Sequence, residues 1–316
     1  LKAVVIENGR PTVVDRPEPV PGPDEALIRV HLAGICGTDI EIARGYLEFG
    51  GIPGHEFVGV VEQSSDPDWI GKRVVGEINV GCGACERCAA GMERHCTSRT
   101  VVGIVGRDGA FAELVALPLS NLHEVPSSIS NDAAVFVEPL AAAHEILDQV
   151  EPTEDDRVLV LGDGRLGQLC AAALARSGCR TLVAGRHPEK MRRLGKFGIG
   201  SALADDLEES GFDLVVEATG TPDGLRRASG VVRPRGTIVL KSTYHGEASF
   251  DLAGLVIDEV TVVGSRCGRF VPAIEHLVSE PEVTEGMITA RFTLDRVRDA
   301  FTRAMQPDAL KVLLTP

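Results

Sequence analysis

The hydrophobic and polar positions change rhythm once along the chain. Up to about residue 125, apolar and polar residues alternate in short runs broken by Gly and Pro: residues 2–6, 26–33, 56–62, 73–77 and 110–116. Successive strand side chains face opposite ways, so period-two runs with frequent turn residues predict an antiparallel, β-rich domain. Pro17, Pro19, Pro21 and Pro23 predict an extended connection, because proline fixes φ and has no N–H to give to a ladder. From about residue 151 short apolar runs at 157–161, 181–185, 213–218, 236–240 and 259–264 alternate with helical stretches. Those stretches are an Ala/Leu-rich segment ending at Ser177, a charged one at 188–197 and one at 222–232. Strands alternating with helices predict βαβ units and a parallel sheet, hence an α/β fold. The tail returns to mixed patterning and ends in an apolar strand at 311–314.

A chain of 316 residues is long enough for about two domains. With 44% hydrophobic and 25% charged residues it has a globular, not a disordered, composition. Lys and Arg number 32 against 46 Asp and Glu, a net charge of −14, which argues against nucleic acid as the main partner. No apolar run approaches the roughly 18–20 residues of a membrane span. Residues 1–7 read as a strand with no signal-peptide pattern, so the expected compartment is the reducing cytoplasm.

Four of the eight cysteines, Cys82, Cys85, Cys88 and Cys96, crowd into one Gly-rich loop. In a chain without a secretion signal this cluster reads as a metal site before it reads as disulfides. Four thiolates close a tetrahedral shell around a structural zinc, and Gly81, Gly83 and Gly91 permit the turns such a loop needs. An iron–sulfur cluster is the competing metal, and four unrelated buried thiols the bland alternative. A second candidate site is less compact. Cys36 in Gly-Ile-Cys-Gly-Thr-Asp, His55 in Gly-His-Glu-Phe and Glu138 in Val-Glu-Pro-Leu offer a thiolate, an imidazole and a carboxylate. Such a set makes a zinc site with one open position. Each signal alone is weak, since lone cysteines in apolar strands are usually core and lone acids in loops are usually solvated.

Gly162-x-Gly164-x-x-Gly167 follows the apolar run 157–161 and opens a helix. In that context the first glycine makes the turn, the second admits a pyrophosphate and the third lets helix and strand pack closely. Arg165 and Leu166 belong to the same turn. Binders of NAD place an acid at the end of the second strand, about 20 residues on. Here that end reads Ala184-Gly185-Arg186-His187, with no acid from Thr181 to His187. Gly185 leaves room where a carboxylate would stand, Arg186 can fork onto a 2′-phosphate and His187 can add a donor, which predicts NADP(H) over NAD(H).

These motifs, in this order, resemble the zinc-dependent medium-chain dehydrogenase/reductase family, which includes alcohol, sorbitol and threonine dehydrogenases. The resemblance covers nearly the whole chain. It implies a GroES-like β-barrel catalytic domain over 1–138 and 268–316, with a structural zinc lobe at about 80–98. A Rossmann doubly wound parallel sheet over 139–267 is inserted between the two parts. It further implies that Cys36, His55 and Glu138 hold a catalytic zinc, with Glu56 as an alternate ligand, so that two zinc ions bind per chain. Asp39 would orient His55, Thr38 would bond the substrate hydroxyl and Lys311 would contact the pyrophosphate. Where several members carry a relay histidine, this chain has Glu41, and the loop from Cys36 to His55 is short.

The expected activity is hydride transfer between a secondary or polyhydroxy alcohol, or its carbonyl, and a nicotinamide. The expected partners are a small-molecule substrate and further copies of the chain, as a homodimer or homotetramer. Alternatives are a specialised biosynthetic carbonyl reductase acting on a larger substrate and a non-catalytic NADPH-binding sensor. Cys170, Cys179 and Cys267 are read mainly as packing thiols. His31, His123, His144, His245 and His276 are read as solvated or satisfied histidines. Tyr46 and Phe49 are candidates to line the pocket.

Overall fold

The computed structural model describes residues 1–243 and 252–316, so His245 lies outside the described residues. The chain divides into two compact units, Leu1–Glu138 with Phe270–Pro316, and Pro139–Arg269. No described helix is long and apolar enough to cross a membrane.

The first unit is built on a seven-stranded sheet. Its order is Leu122–Glu124, Arg73–Gly76, Glu56–Ser64, Glu25–Gly34, Lys311–Thr315, Ile288–Thr293, with Leu114–Pro118 also pairing to Glu25–Gly34. Glu25–Gly34 and Glu56–Ser64 are antiparallel, and their inward positions, among them Ile28, Val58 and Val61, are essentially excluded from solvent. The chain's last strand completes this sheet, pairing Leu313 with Gly34 and Leu314 with Ala33. The alternating run at 110–116 becomes a strand only from Leu114. Its first part is used differently. The amides of Gly109, Ala110 and Phe111 donate to the carbonyls of Ile52, Gly54 and Pro53, which fastens the segment leading into His55. Phe111 is fully buried and meets Phe301 edge-on, with ring centroids 6.2 Å apart. It also fills the space above Gly54, where a Cβ would come within 2.4 Å of the ring at a φ of +97°.

The second unit is a six-stranded, all-parallel sheet. Its order is Gly200–Leu203, Arg180–Gly185, Arg157–Leu161, Phe212–Glu217, Val232–Leu240, Thr261–Gly264. In chain order this is 3-2-1-4-5-6, the doubly wound arrangement whose first strand-to-helix turn faces the ligand crevice. Leu159, Leu161, Ala184, Phe212, Val215 and Ile238 form its core. Two local expectations change. The charged stretch 188–197 is not one helix but a turn of α-helix, Pro188–Met191, running into a 3-10 helix, Arg192–Phe197, closed by Gly198 at a φ of +68°. The strand Gly200–Leu203 had no apolar run to announce it, because it is the sheet edge and its side chains are largely exposed.

Phe111→Ala is expected to destabilise the chain by about 3–5 kcal/mol, the range for truncating a buried aromatic. Chemical denaturation with a near-ultraviolet probe checks this; an unchanged midpoint would show that Phe111 does not carry the 52–55 segment.

Candidate active site and metal centres

The helix Gly37–Ala43 begins at Cys36, and its first turn organises one end of the site. Asp39 is fully buried there. One carboxylate oxygen accepts from the Cys36 amide at 2.7 Å and the other from the Gly54 amide at 3.2 Å. The second oxygen also lies 3.5 Å from His55 Nδ1. A single acid thus ties together the two segments that carry Cys36 and His55 and leaves His55 Nε2 for another partner. Burial alone would lower the His55 pKa. The Asp39 carboxylate and the Cys36 thiol outweigh burial and hold the imidazole well above its ordinary range. A metal binding there must displace that proton, so its affinity falls as pH falls.

Cys36, His55 and Glu56 bring their ligand atoms within 4.8 Å of one another. Glu56 opens the strand Glu56–Ser64, directly after His55. One of its oxygens has no hydrogen-bond partner although it is buried. A buried carboxylate oxygen is rarely left so, and a cation beside it would remove the deficit. Of the two carboxylates named as ligands, Glu56 falls within this group. Glu138 sits half-buried in the first turn of the helix Val137–Val150, outside this group. The reason is local: Glu56 is carried to the cluster by the residue that precedes it, whereas Glu138 depends on where a separate helix begins.

The other oxygen of Glu56 is paired with Lys311 Nζ. Both side chains are buried, Lys311 completely, and the ammonium also lies 5.6 Å from the centre of the Phe136 ring. The Lys311 charge, expected to meet a pyrophosphate, is paired here with Glu56 inside the sheet. Gly34 makes the room, because a Cβ there would stand 2.7 Å from Glu56 Oε2 and 3.2 Å from Lys311 Cδ. Thr38 is half-buried, with Oγ1 3.9 Å from Cys36 Sγ. Glu41, at the relay position, pairs with the exposed Arg44 at 2.7 Å. Phe49 lines an open cavity of about 500 Å³ with Leu47, Gly51 and Ile104.

Cys82, Cys85, Cys88 and Cys96 form the second group of potential metal ligands, with sulfurs 3.5 Å apart for Cys85 and Cys88 and 3.8 Å for Cys85 and Cys96. Gly83 and Gly91 turn the loop at φ of +71° and +70°. A Cβ on Gly81 would come within 2.9 Å of Cys88 Sγ. Amides of Ala84 and Cys85 draw the Cys82 thiol down to about 6, while burial pushes Cys88 up to about 11. Four convergent thiols with no nearby acid or imidazole in the group suit a closed tetrahedral metal shell. Of the remaining cysteines, Cys170 and Cys179 are buried and Cys267 is half-buried. Burial raises the Cys170 thiol to about 11, which keeps it protonated and unreactive.

In the second unit two glycines of the turn, Gly162 and Gly167, have a steric reason. Gly162 has a φ of +119° and a Cβ would meet the Ala218 carbonyl at 2.5 Å. Gly167 packs its Cα face on the Gly162 carbonyl, where a Cβ would stand at 2.1 Å. Gly164 caps the helix Arg165–Arg176 and faces open space. An unobstructed helix N-terminus of this kind fits a pyrophosphate. At the end of the strand Arg180–Gly185 the room read at Gly185 is not vacant. A Cβ there would lie 2.4 Å from the Asp163 Cβ. The sequence reading overlooked Asp163 because it stands inside the glycine turn and not on the strand.

The chain matches the alcohol dehydrogenase GroES-like domain over residues 22–127 and the glucose dehydrogenase C-terminus over residues 131–315. An L-threonine 3-dehydrogenase from Streptomyces coelicolor is 35% identical over 292 residues, covering 84% of this chain and 83% of the relative. The chain belongs to the zinc-type alcohol dehydrogenase family. Two solved members have the same fold along its whole length. One is described as a short chain alcohol dehydrogenase from Escherichia coli CFT073 complexed with NADH (TM-score 0.90, 28% identity, 100% of this chain and 99% of that one). The other is a zinc-binding dehydrogenase from Sinorhizobium meliloti 1021 bound to NADP (TM-score 0.89, 28% identity, 100% and 99%). As a member of the zinc-type alcohol dehydrogenases, the chain is an oxidoreductase that moves hydride between a small alcohol or carbonyl and a nicotinamide.

Lys311→Met would leave Glu56 buried without its counter-charge. A broken buried pair of this kind costs about 3–5 kcal/mol. Urea denaturation of the metal-free chain is expected to show that loss, with part of it recovered in Lys311→Met/Glu56→Gln; equal stability of the single variant and the parent would contradict the pairing.

Proposed function

We propose that this enzyme is an NADP(H)-dependent dehydrogenase for secondary or polyhydroxy alcohols, with one catalytic and one structural zinc per chain. The observation that carries the reading is the group Cys36, His55 and Glu56. It supplies one soft, one borderline and one hard ligand, and one buried oxygen of Glu56 has no hydrogen-bond partner. Three protein ligands leave one tetrahedral position open, as a catalytic site needs, whereas Cys82, Cys85, Cys88 and Cys96 leave none. When bound at the first group, zinc supplies Lewis acidity that makes an alcohol hydroxyl a better proton donor. The nicotinamide supplies the hydride acceptor.

The residues of the chain do the rest. Asp39, 3.5 Å from His55 Nδ1, orients the ring, so that Nε2 would be the atom offered to the metal. Lys311 fixes one oxygen of Glu56 and so limits its freedom at the site. Thr38, beside Cys36, would accept the substrate's hydroxyl proton as it hands its own outward. Glu41 takes the outer relay position in its ion pair with Arg44. Gly162, Gly164, Arg165, Leu166 and Gly167 form the pyrophosphate cradle, and Gly185, Arg186 and His187 the end that discriminates between cofactors.

A secondary alcohol is favoured because the Streptomyces coelicolor relative is an L-threonine 3-dehydrogenase. Solved members bind either cofactor, so the NADP(H) assignment rests on Arg186 and on the absence of an acid in the second strand. We also infer a cytoplasmic homo-oligomer. The edge strand Thr261–Gly264, with Val262 40% exposed, is open to pairing with a second copy.

Nicotinamide absorbance with a panel of secondary alcohols, polyols and their carbonyls tests this reading. Turnover with NADP+ is expected. His55→Ala is expected to lower kcat by about three orders of magnitude, the scale of losing several kcal/mol of Lewis-acid stabilisation, while NADPH fluorescence titration stays unchanged. Full turnover in His55→Ala would overturn the site, and a chain that binds NADPH but turns over no member of the panel would favour a sensor.

A further inference from the structure

We propose that Asp163, inside the glycine turn, is a positioning residue for cofactor choice: its carboxylate fixes the Arg186–His187 corner so that Arg186 is presented to a 2′-phosphate. This rests on the NADP(H) reading above and names the device behind it.

Asp163 is 7% exposed, and its side chain fills the space beside Gly185, at the strand end where an NAD binder carries its acid. The two acids exclude each other, since a Cβ on residue 185 would stand 2.5 Å from Asp163 Oδ2. Oδ2 accepts the amides of Arg186 at 2.7 Å and of His187 at 2.6 Å. The His187 ring nitrogen Nδ1 lies 3.1 Å from Oδ2 and 3.2 Å from Oδ1, and Lys190 Nζ is 3.9 Å from Oδ1. Burial alone would favour the neutral acid. The His187 amide and ring and the Lys190 charge outweigh it and hold the Asp163 pKa below its ordinary range. Asp163 is therefore an ionised acceptor whose oxygens are already engaged by its own chain, not an acid held ready for ribose hydroxyls.

A second set of bonds locks the same corner. Gln168, fully buried one residue after Gly167, donates to the carbonyls of Asp163 at 3.0 Å and Lys190 at 3.2 Å. Arg193 in turn donates to Gln168 Oε1 at 3.1 Å. Arg186 itself is exposed, and among the described residues its guanidinium has no ion-pair partner. A fixed backbone beneath an uncommitted guanidinium is what bidentate phosphate recognition requires. The acid that would select a ribose diol has moved one strand away, and there it braces the cation that selects the phosphate.

The test compares Asp163→Asn, Arg186→Ala and the double variant by calorimetric titration of the intact chain. The ligands are NADPH, NADH, adenosine 2′,5′-bisphosphate and 5′-AMP. The ratio of phosphorylated to unphosphorylated affinities within one preparation is independent of the folded fraction. The parent is expected to prefer the 2′-phosphorylated ligands. Asp163→Asn is expected to cut that preference about tenfold, the scale of a lost charge-assisted hydrogen bond, with NADH and 5′-AMP nearly unchanged. In the Arg186→Ala background it is expected to change the preference no further. Equal weakening of all four ligands, a selective loss of NADH, or additive effects in the double variant would each overturn the proposal. A parent that prefers NADH would instead overturn the NADP(H) reading, whatever the variants do.

Discussion

A buried ion pair holds the catalytic half together. Glu56 and Lys311 are separated by 255 positions in the chain, with the whole second unit intervening, yet their charges meet inside one sheet. Neither could be buried alone, because an unpaired ion in a protein interior carries a penalty of several kcal/mol. The pair therefore makes the position of Glu56 beside Cys36 and His55 conditional on the last strand returning to the sheet. Gly34 is the other half of that condition, since any side chain there would strike both members of the pair. Asp39 performs the same task on a shorter scale, joining the amides before the helix Gly37–Ala43 and before His55 through one carboxylate. The candidate site is thus assembled by charge pairing across sequence distance, with Phe111 and Gly54 supplying the packing beneath it.

The cofactor half follows a different rule. Its glycines act by removing volume: Gly162 and Gly167 have backbone carbonyls where a Cβ would be, and Gly164 leaves an open helix end. Gly185 belongs to the same logic but serves this chain's own acid, Asp163. In both halves a glycine marks the spot where a carboxylate from elsewhere is buried: Glu56 against Gly34, Asp163 against Gly185.

That correspondence explains what the sequence made legible and what it did not. Local features could be read. The cysteine spacing at 82, 85, 88 and 96 foretells the thiol cluster that the structure forms, and the strand–turn–helix around Gly162 foretells the doubly wound sheet. Features that depend on a distant partner could not. Glu138 and Glu56 were both carboxylates beside plausible ligand motifs, and the structure groups Glu56, at the start of the strand Glu56–Ser64, with Cys36 and His55. The resemblance alone named Lys311 as a pyrophosphate contact, and nothing local in the sequence announced its buried pairing with Glu56, 255 positions away. The strand Gly200–Leu203 was missed because an exposed edge needs no apolar run. A usable signal existed for Asp163: an acid within the glycine turn beside a glycine at the end of the next strand.

The central claim is that Cys36, His55 and Glu56 form one metal site and the four clustered cysteines another. Elemental analysis of dialysed protein measures it most directly. The account predicts two zinc ions per chain, one after Glu56→Gln and two after Glu138→Gln. One zinc in the parent, or loss of zinc in Glu138→Gln with retention in Glu56→Gln, would contradict it.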